Sequence, residues 1–68
     1  MRYAVVIEKS ETGYGAYVPD LPGCIAVAAT LAETEQLIRE AVEFHLEGLR
    51  EDGIGVPEPS AVAQYVEV

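Results

Sequence analysis

The segment from Thr30 to Asp52 constrains the fold most, because its pattern is that of one long helix. Thr30 and Glu33 have the spacing of a capping box, which closes the first helical turn. The segment has no proline and only one glycine, Gly48, and Gly53 directly after it is a helix-ending signal. We predict a helix of five to six turns, against which the remaining short elements of a 68-residue chain have to pack.

The two sides of this predicted helix differ in chemistry. At about 100° per residue, one side collects the residues expected to face the core, namely Leu31, Ile38, Ala41, Val42, His45 and Leu49. The opposite side carries a ridge of carboxylates, which consists of Glu33, Glu40, Glu43, Glu47 and Glu51. Leu37 and Phe44 lie at the boundary, where apolar side chains are suitable anchors for a partner. A solvated face is the alternative explanation of the ridge.

Three segments before the helix predict β-strands, because they are rich in valine, isoleucine and tyrosine. They are RYAVVIE, YGAYV and CIAVAA, and they are separated by KSETG and PDLPG. Short connections of this kind favour an antiparallel meander. After the helix, prolines interrupt GIGVPEPS, and AVAQYVEV alternates as a fourth strand does. The predicted fold class is therefore α+β, in the order β-β-β-α-β, with residues 1–68 forming a single domain.

The predicted sheet is apolar on both faces, although one helix covers only one of them. In the first strand Tyr3, Val5 and Ile7 point to one side. Ala4 and Val6 point to the other side, where an antiparallel sheet with a solvated face is expected to be polar. We therefore expect a second subunit or another protein to cover the free face, in a dimer or a higher oligomer. The alternative is that small residues such as alanine simply tolerate exposure.

The charge balance excludes some classes of function. The chain has 12 acidic and 4 basic residues, and its formal net charge is −8. Such a chain repels phosphate backbones, so we expect no direct nucleic-acid binding, whereas a basic protein would be attracted. Solubility alone is the other explanation of the acidity. No segment resembles a signal peptide or a membrane span, and the single cysteine fits a reducing compartment, so the predicted location is the cytoplasm.

Reactive side chains are few and form no recognisable catalytic or metal-binding pattern. Cys24 follows a glycine at a sharp bend, but nucleophilic chemistry would need a base, and His45 is the only histidine. One cysteine and one histidine do not make a zinc site, and no carboxylates have the spacing of a calcium-binding loop. We therefore predict no catalytic residue, no metal ligand and no cofactor. A residual metal-dependent hydrolase that uses Asp20 or Glu8 is a minor third hypothesis.

The connection VPDLPGC is a rigid corner between the second and third predicted strands. Its two prolines restrict the backbone, and Gly23 permits the tight exit. Cys24 then begins the third strand as a small buried hydrophobe. Asp20 and Leu21 are expected to be exposed at the tip, where they would either serve the turn alone or contact a partner.

Taken together, YAVVIE, GYGAYVPDLPGCIA, the T-x-x-E helix start, AVEFHLEGL and VPEPS resemble the HicB-like antitoxin family over nearly the whole chain. The resemblance implies a partial ribonuclease H-like fold without catalytic activity. It also implies neutralisation of a small basic toxin, HicA, which cleaves messenger RNA, by covering its surface. Members of the family commonly form dimers or higher oligomers.

Two departures from the family pattern limit what the resemblance implies. Many members continue into a C-terminal DNA-binding domain that has no counterpart here, so DNA binding is not expected. Ala28 and Ala29 stand where the family often has a glycine and a polar residue.

The predicted function is therefore that of an antitoxin-type binding module for a HicA-like toxin, and not that of an enzyme. The alternative is an orphan oligomeric scaffold or regulatory protein without a toxin partner. The candidate partner-binding residues are Asp20, Leu21, Leu37, Glu40, Glu43, Phe44 and Glu47.

Overall fold

The computed structural model describes residues 1–68 and contains three short strands followed by one long helix. The strands are β1 at Val6–Lys9, β2 at Tyr14–Tyr17 and β3 at Ile25–Ala28, and the helix α1 spans Leu31–Glu51. The sheet has the order β1-β2-β3, and both strand pairs are antiparallel. The predicted α+β class, the meander and the single long helix are confirmed. No helix reaches the length and apolarity that a membrane crossing requires.

Helix α1 begins and ends at the signals that the sequence predicts. The Thr30 hydroxyl accepts a hydrogen bond from the Glu33 backbone N–H at 3.1 Å and donates one to the Glu33 carboxylate at 2.9 Å. After Asp52 the chain turns through Gly53, whose φ is +69°. The Ile54 N–H donates to the carbonyl of Leu49 at 2.9 Å, and the Gly53 N–H donates to that of Arg50 at 3.1 Å. This pair of bonds is a Schellman motif, so the helix ends with its last carbonyls satisfied.

The register of the sheet decides which side chains share a face. Val6 pairs with Tyr17, and Tyr17 pairs with Ile25, so these three residues form one row across the sheet. Because side chains alternate along each strand, the neighbouring row points to the other face. Helix α1 contacts β2 and β3 on that other face. The side away from the helix, called here the outer sheet face, consists of Val6, Glu8, Gly15, Tyr17, Ile25 and Val27.

The core lies between α1 and the inner side of the sheet, and it is small. Its fully buried apolar members are Ala16, Val18, Leu21, Cys24 and Ile38. Thr34 is also completely buried, and its hydroxyl donates to the Thr30 carbonyl at 2.8 Å, which satisfies the polar group inside the core. Leu31 was expected in this core but is 44% exposed, so that prediction is wrong. Leu31 is the first helical residue, whereas the buried residues of α1 are Thr34 and Ile38 further along.

The predicted fourth strand is not seen, although its composition is that of a strand. Residues 61–68 pair with no other strand. The segment begins beside the N-terminal residues, where Ala61 and Val62 line a shallow cavity together with Tyr3. Further along, Tyr65 is 97% exposed. Alternation of apolar residues therefore does not by itself form a strand, because a strand also needs backbone partners.

Candidate partner-binding surfaces

The outward side of α1 combines negative charge with exposed apolar side chains. The helix contains six glutamates and two arginines, so its formal charge is −4. We call its outward side the acidic helix surface, and its residues are Glu33, Leu37, Glu40, Glu43, Phe44, Glu47 and Glu51, all of which are exposed. The predicted ridge of carboxylates is thus present on one continuous surface.

Phe44 is the most informative residue of the acidic helix surface. It is 79% exposed and Leu37, two turns earlier on the same side, is 41% exposed. Burying a large aromatic side chain is favourable by about 2 kcal/mol relative to leaving it in water. A partner that covers Phe44 would therefore gain this burial energy. Glu40 beside them is already held in place, because the Gln36 side-chain amide donates to its carboxylate at 2.8 Å. Apolar anchors with carboxylates around them suit a partner that is basic around an apolar pocket.

Asp20 was expected to be exposed at the tip of the corner. Its carboxylate instead binds the segment that follows the helix. The Ser60 and Ala61 backbone N–H groups both donate to its Oδ2 at 3.0 Å. The Ser60 hydroxyl donates to Oδ1 at 2.8 Å. The N–H of Ala61, followed by the two donors of Ser60, lowers the pKa of the Asp20 carboxyl. The carboxylate therefore connects the corner to the last part of the chain, and the expectation of a freely exposed tip is wrong.

Leu21 was expected beside Asp20 at the exposed tip, but it is completely buried. The corner folds inward because three backbone hydrogen bonds close it. The Leu21 N–H donates to the Val18 carbonyl at 3.0 Å, and the Cys24 N–H donates to the Leu21 carbonyl at 3.1 Å. The Val18 N–H donates to the Cys24 carbonyl at 3.2 Å. Leu21 thus serves the core and has no accessible surface with which to contact a partner.

The candidate reactive residues are not brought together as a site. Cys24 is 3% exposed, and burial raises the pKa of its thiol, which opposes formation of the nucleophilic thiolate. His45 is half-buried on the core side of α1. Glu8 lies on the outer sheet face opposite Gly15, whereas Asp20 lies beyond the other end of the β1–β2 ladder. No group of three or more histidine, cysteine or carboxylate side chains is placed to hold a metal ion.

Two long-range contacts could not be found by sequence reasoning. One is the Asp20–Ser60 contact, and the other is the Tyr3 hydroxyl, which donates to the carbonyl oxygen of Pro57 at 2.5 Å. Forty or more residues separate the partners, and no periodic pattern relates them. The only local signals are an aspartate in a corner bounded by two prolines and the backbone N–H of Ser60, directly after Pro59.

The contact of Asp20 with Ser60 and Ala61 is expected to depend on pH in the acid range. Since the folded pKa of Asp20 is lowered, its stabilising contribution is present above its unfolded pKa of about 3.9 and is lost as the pH falls through the folded value. Amide NMR signals of Ser60 and Ala61, followed from about pH 7 downwards, should shift with a midpoint below about 3.9. In Asp20→Asn the same signals should lack this transition. A midpoint at or above the unfolded value would contradict the contact.

Comparison with known proteins agrees with this architecture. Residues 3–68 match the family described as HicB-like antitoxins of bacterial toxin–antitoxin systems. An uncharacterized 14.9 kDa protein from the rep-hol intergenic region of Haemophilus phage HP1 is 41% identical over 97% of this chain, which spans 50% of the phage protein. A UPF0150 protein of Archaeoglobus fulgidus is 48% identical, and the match covers 82% of this chain and 88% of that protein.

A solved structure shows the same fold. A chain of the HicA3 and HicB3 toxin–antitoxin complex superposes with a TM-score of 0.73 and is 32% identical, over 87% of this chain and 70% of that chain. The match of nearly the whole chain to one family, together with the shared arrangement of sheet and helix, shows that this chain belongs to the HicB-like antitoxin family.

Proposed function

We propose that residues 1–68 act as one antitoxin domain that neutralises a small basic, RNA-cleaving toxin of the HicA type. The observation that carries the proposal is the acidic helix surface, where the exposed Phe44 and Leu37 lie among glutamates. Membership of an antitoxin family and the fold shared with a chain of a toxin–antitoxin complex support the same partner class. We place this activity in the cytoplasm, where messenger RNA is cleaved.

The proposed mechanism is occlusion, and it needs no reactive side chain. The chain carries a formal charge of −8, half of it on α1, so a basic toxin is steered toward the chain. Phe44 and Leu37 then lose their contact with water against the toxin, which slows dissociation. A toxin surface that binds RNA is itself basic, and it is no longer accessible to RNA when the helix covers it.

The predicted partner-binding residues have different roles in this proposal. Leu37, Glu40, Glu43, Phe44 and Glu47 share the acidic helix surface, and we propose that they contact the toxin directly. Asp20 is half-buried and holds Ser60 and Ala61, so we propose that it acts by shaping the corner. Leu21 would act only through the stability of the core.

A binding measurement with a small basic protein encoded beside this chain tests the proposal. Phe44→Ala is expected to weaken binding by about 30-fold, because it removes about 2 kcal/mol of anchoring contact. The double change Glu43→Lys and Glu47→Lys should weaken binding further and reduce its dependence on salt. Inhibition of the toxin's RNA cleavage should decrease in the same order.

Glu11→Lys is the matched control for charge, because Glu11 is exposed in the loop between β1 and β2 and is not part of the acidic helix surface. Glu11→Lys changes the net charge by the same amount as each Glu→Lys substitution in α1. It should nevertheless reduce the affinity only slightly. If Glu11→Lys weakened binding as much as Glu43→Lys alone, the affinity would depend only on net charge. Full inhibition of the toxin by Phe44→Ala and by the double variant would disprove the proposed surface.

A further inference from the structure

The segment that follows the end of α1, residues 55–61, is joined to the rest of the domain by hydrogen bonds at two places. At the first, the Tyr3 hydroxyl donates to the carbonyl oxygen of Pro57 at 2.5 Å. At the second, the Asp20 carboxylate accepts three hydrogen bonds, two of them from Ser60. We call residues 55–61 the clasp, because one attachment joins it to the residues before β1 and the other to the corner between β2 and β3.

Little else holds this part of the chain. No backbone–backbone hydrogen bond involves a residue from 55 to 68, whereas 25 such bonds lie within the helix and the sheet. Only Val56, Pro59 and Ala61 are half-buried in this stretch, and no residue of it is fully buried. A segment with few buried apolar contacts opens locally at a lower free energy than the whole domain unfolds. The clasp can therefore open while α1 and the sheet stay folded.

The two attachments are close enough in sequence to influence each other. Only Glu58 and Pro59 separate Pro57 from Ser60, and the two prolines restrict the backbone of this link. While one attachment is closed, the short and stiff link keeps the other near its partner, which raises its effective concentration. Breaking one attachment therefore favours the opening of the other.

We propose that the clasp is a conformational device with a closed and an open state, and that its two attachments form and break together. In the closed state Ala61 is fixed, so only residues 62–68 extend from the domain, over at most about 25 Å. In the open state residues 55–68 are released, and their reach doubles to about 50 Å. The clasp thus sets how far Val68 can lie from the sheet and the helix.

Tyr3→Phe tests whether the attachments are coupled, because it keeps the ring and removes the hydroxyl that donates to Pro57. The amide exchange rates of Ser60 and Ala61 are measured by NMR in the 68-residue chain. Both rates should increase by about 10-fold, although these amides lose no hydrogen bond of their own, since a lost hydrogen bond shifts the common opening equilibrium. Tyr17→Phe is the matched control, because it removes the hydroxyl of a partly exposed tyrosine in β2 and should leave both rates unchanged.

Low concentrations of urea distinguish opening of the clasp from unfolding of the domain. Opening exposes little surface, so the exchange rates of Ser60 and Ala61 should hardly change with urea. The exchange rate of Ile38, which is buried in α1, should increase with urea because its amide is released only when the helix unfolds. A parallel increase at all three amides would overturn the proposal, since the clasp would then open only together with the domain.

Asp20→Ala tests the coupling in the opposite direction. It removes the acceptor of the second attachment, and the ring NMR signals of Tyr3 should shift toward those of a tyrosine in water, although no hydrogen bond joins Asp20 to Tyr3. Unchanged Tyr3 signals in Asp20→Ala would overturn the proposal, as would unchanged exchange in Tyr3→Phe or equal acceleration in Tyr17→Phe. The measurements need no toxin, so their outcome is independent of the proposed antitoxin function.

Discussion

Replacing Leu21 by alanine is expected to lower the free energy of unfolding by about 2–5 kcal/mol and to leave the protein only marginally stable at 25 °C. Leu21 has no exposed surface, and it lies in a core of only five fully buried apolar residues. Removal of a buried leucine side chain costs about 2–5 kcal/mol, because it loses burial energy and leaves a cavity. The whole free energy of unfolding of a domain this small is about 5 kcal/mol. A single substitution therefore removes a large part of the total stability.

Denaturation in urea, followed by helical circular dichroism, measures this effect. Leu37→Ala provides the matched control, since it deletes the same atoms from a side chain that is 41% exposed on α1. Its midpoint should lie close to that of the wild-type chain, within about 0.5 kcal/mol of stability. Equal losses in the two variants would show that the corner does not pack inward in solution.

Gly13→Ala is the second substitution with a large expected effect. A Cβ atom at Gly13 would overlap the backbone carbonyl oxygen of Ala28 and lie 3.0 Å from the Cα of Ala29. Backbone atoms cannot rotate away as a side chain does, so the start of β2 and the end of β3 would have to separate. We expect a loss of about 2 kcal/mol or more, as for other overpacked positions.

Amide hydrogen exchange locates the damage caused by Gly13→Ala. Protection should fall first at the Tyr14–Ala28 end of the sheet, while the Tyr17–Ile25 end is less affected. Gly15→Ala is the control, because a Cβ there has no atom within 4 Å. If Gly13→Ala were as stable as Gly15→Ala, the close approach of Gly13 to the end of β3 would be refuted.

Much of the architecture was predictable because it depends on local patterns. The capping box at Thr30 and the end signal at Gly53 set the bounds of α1, since a helix satisfies its own backbone and needs only its ends to be closed. The alternation of apolar residues and the short polar connections predicted the meander. The ridge of glutamates was predictable for the same reason, because the helical period alone places those residues on one side.

The errors occurred where a contact outside the element decides the outcome. Leu31 satisfies the helical period of the core face, yet it is the first residue of α1 and is exposed. Residues 61–68 have the composition of a strand, but they pair with neither of the two edge strands, β1 and β3, and composition alone does not form a strand. Leu21 was assigned to an exposed tip because turns are usually at the surface, whereas the corner folds back onto Ile38 and the rest of the core.

The helix, the order of the strands and the negative charge of the helix surface follow from local sequence patterns, because periodicity and capping act over a few neighbouring residues. The burial of Leu21 and the binding of Ser60 and Ala61 by Asp20 arise only when the chain is folded. The register likewise decided that Tyr17 and Ile25 share one apolar row. These features depend on residues that are distant in sequence and meet only when the sheet forms and the helix packs against it.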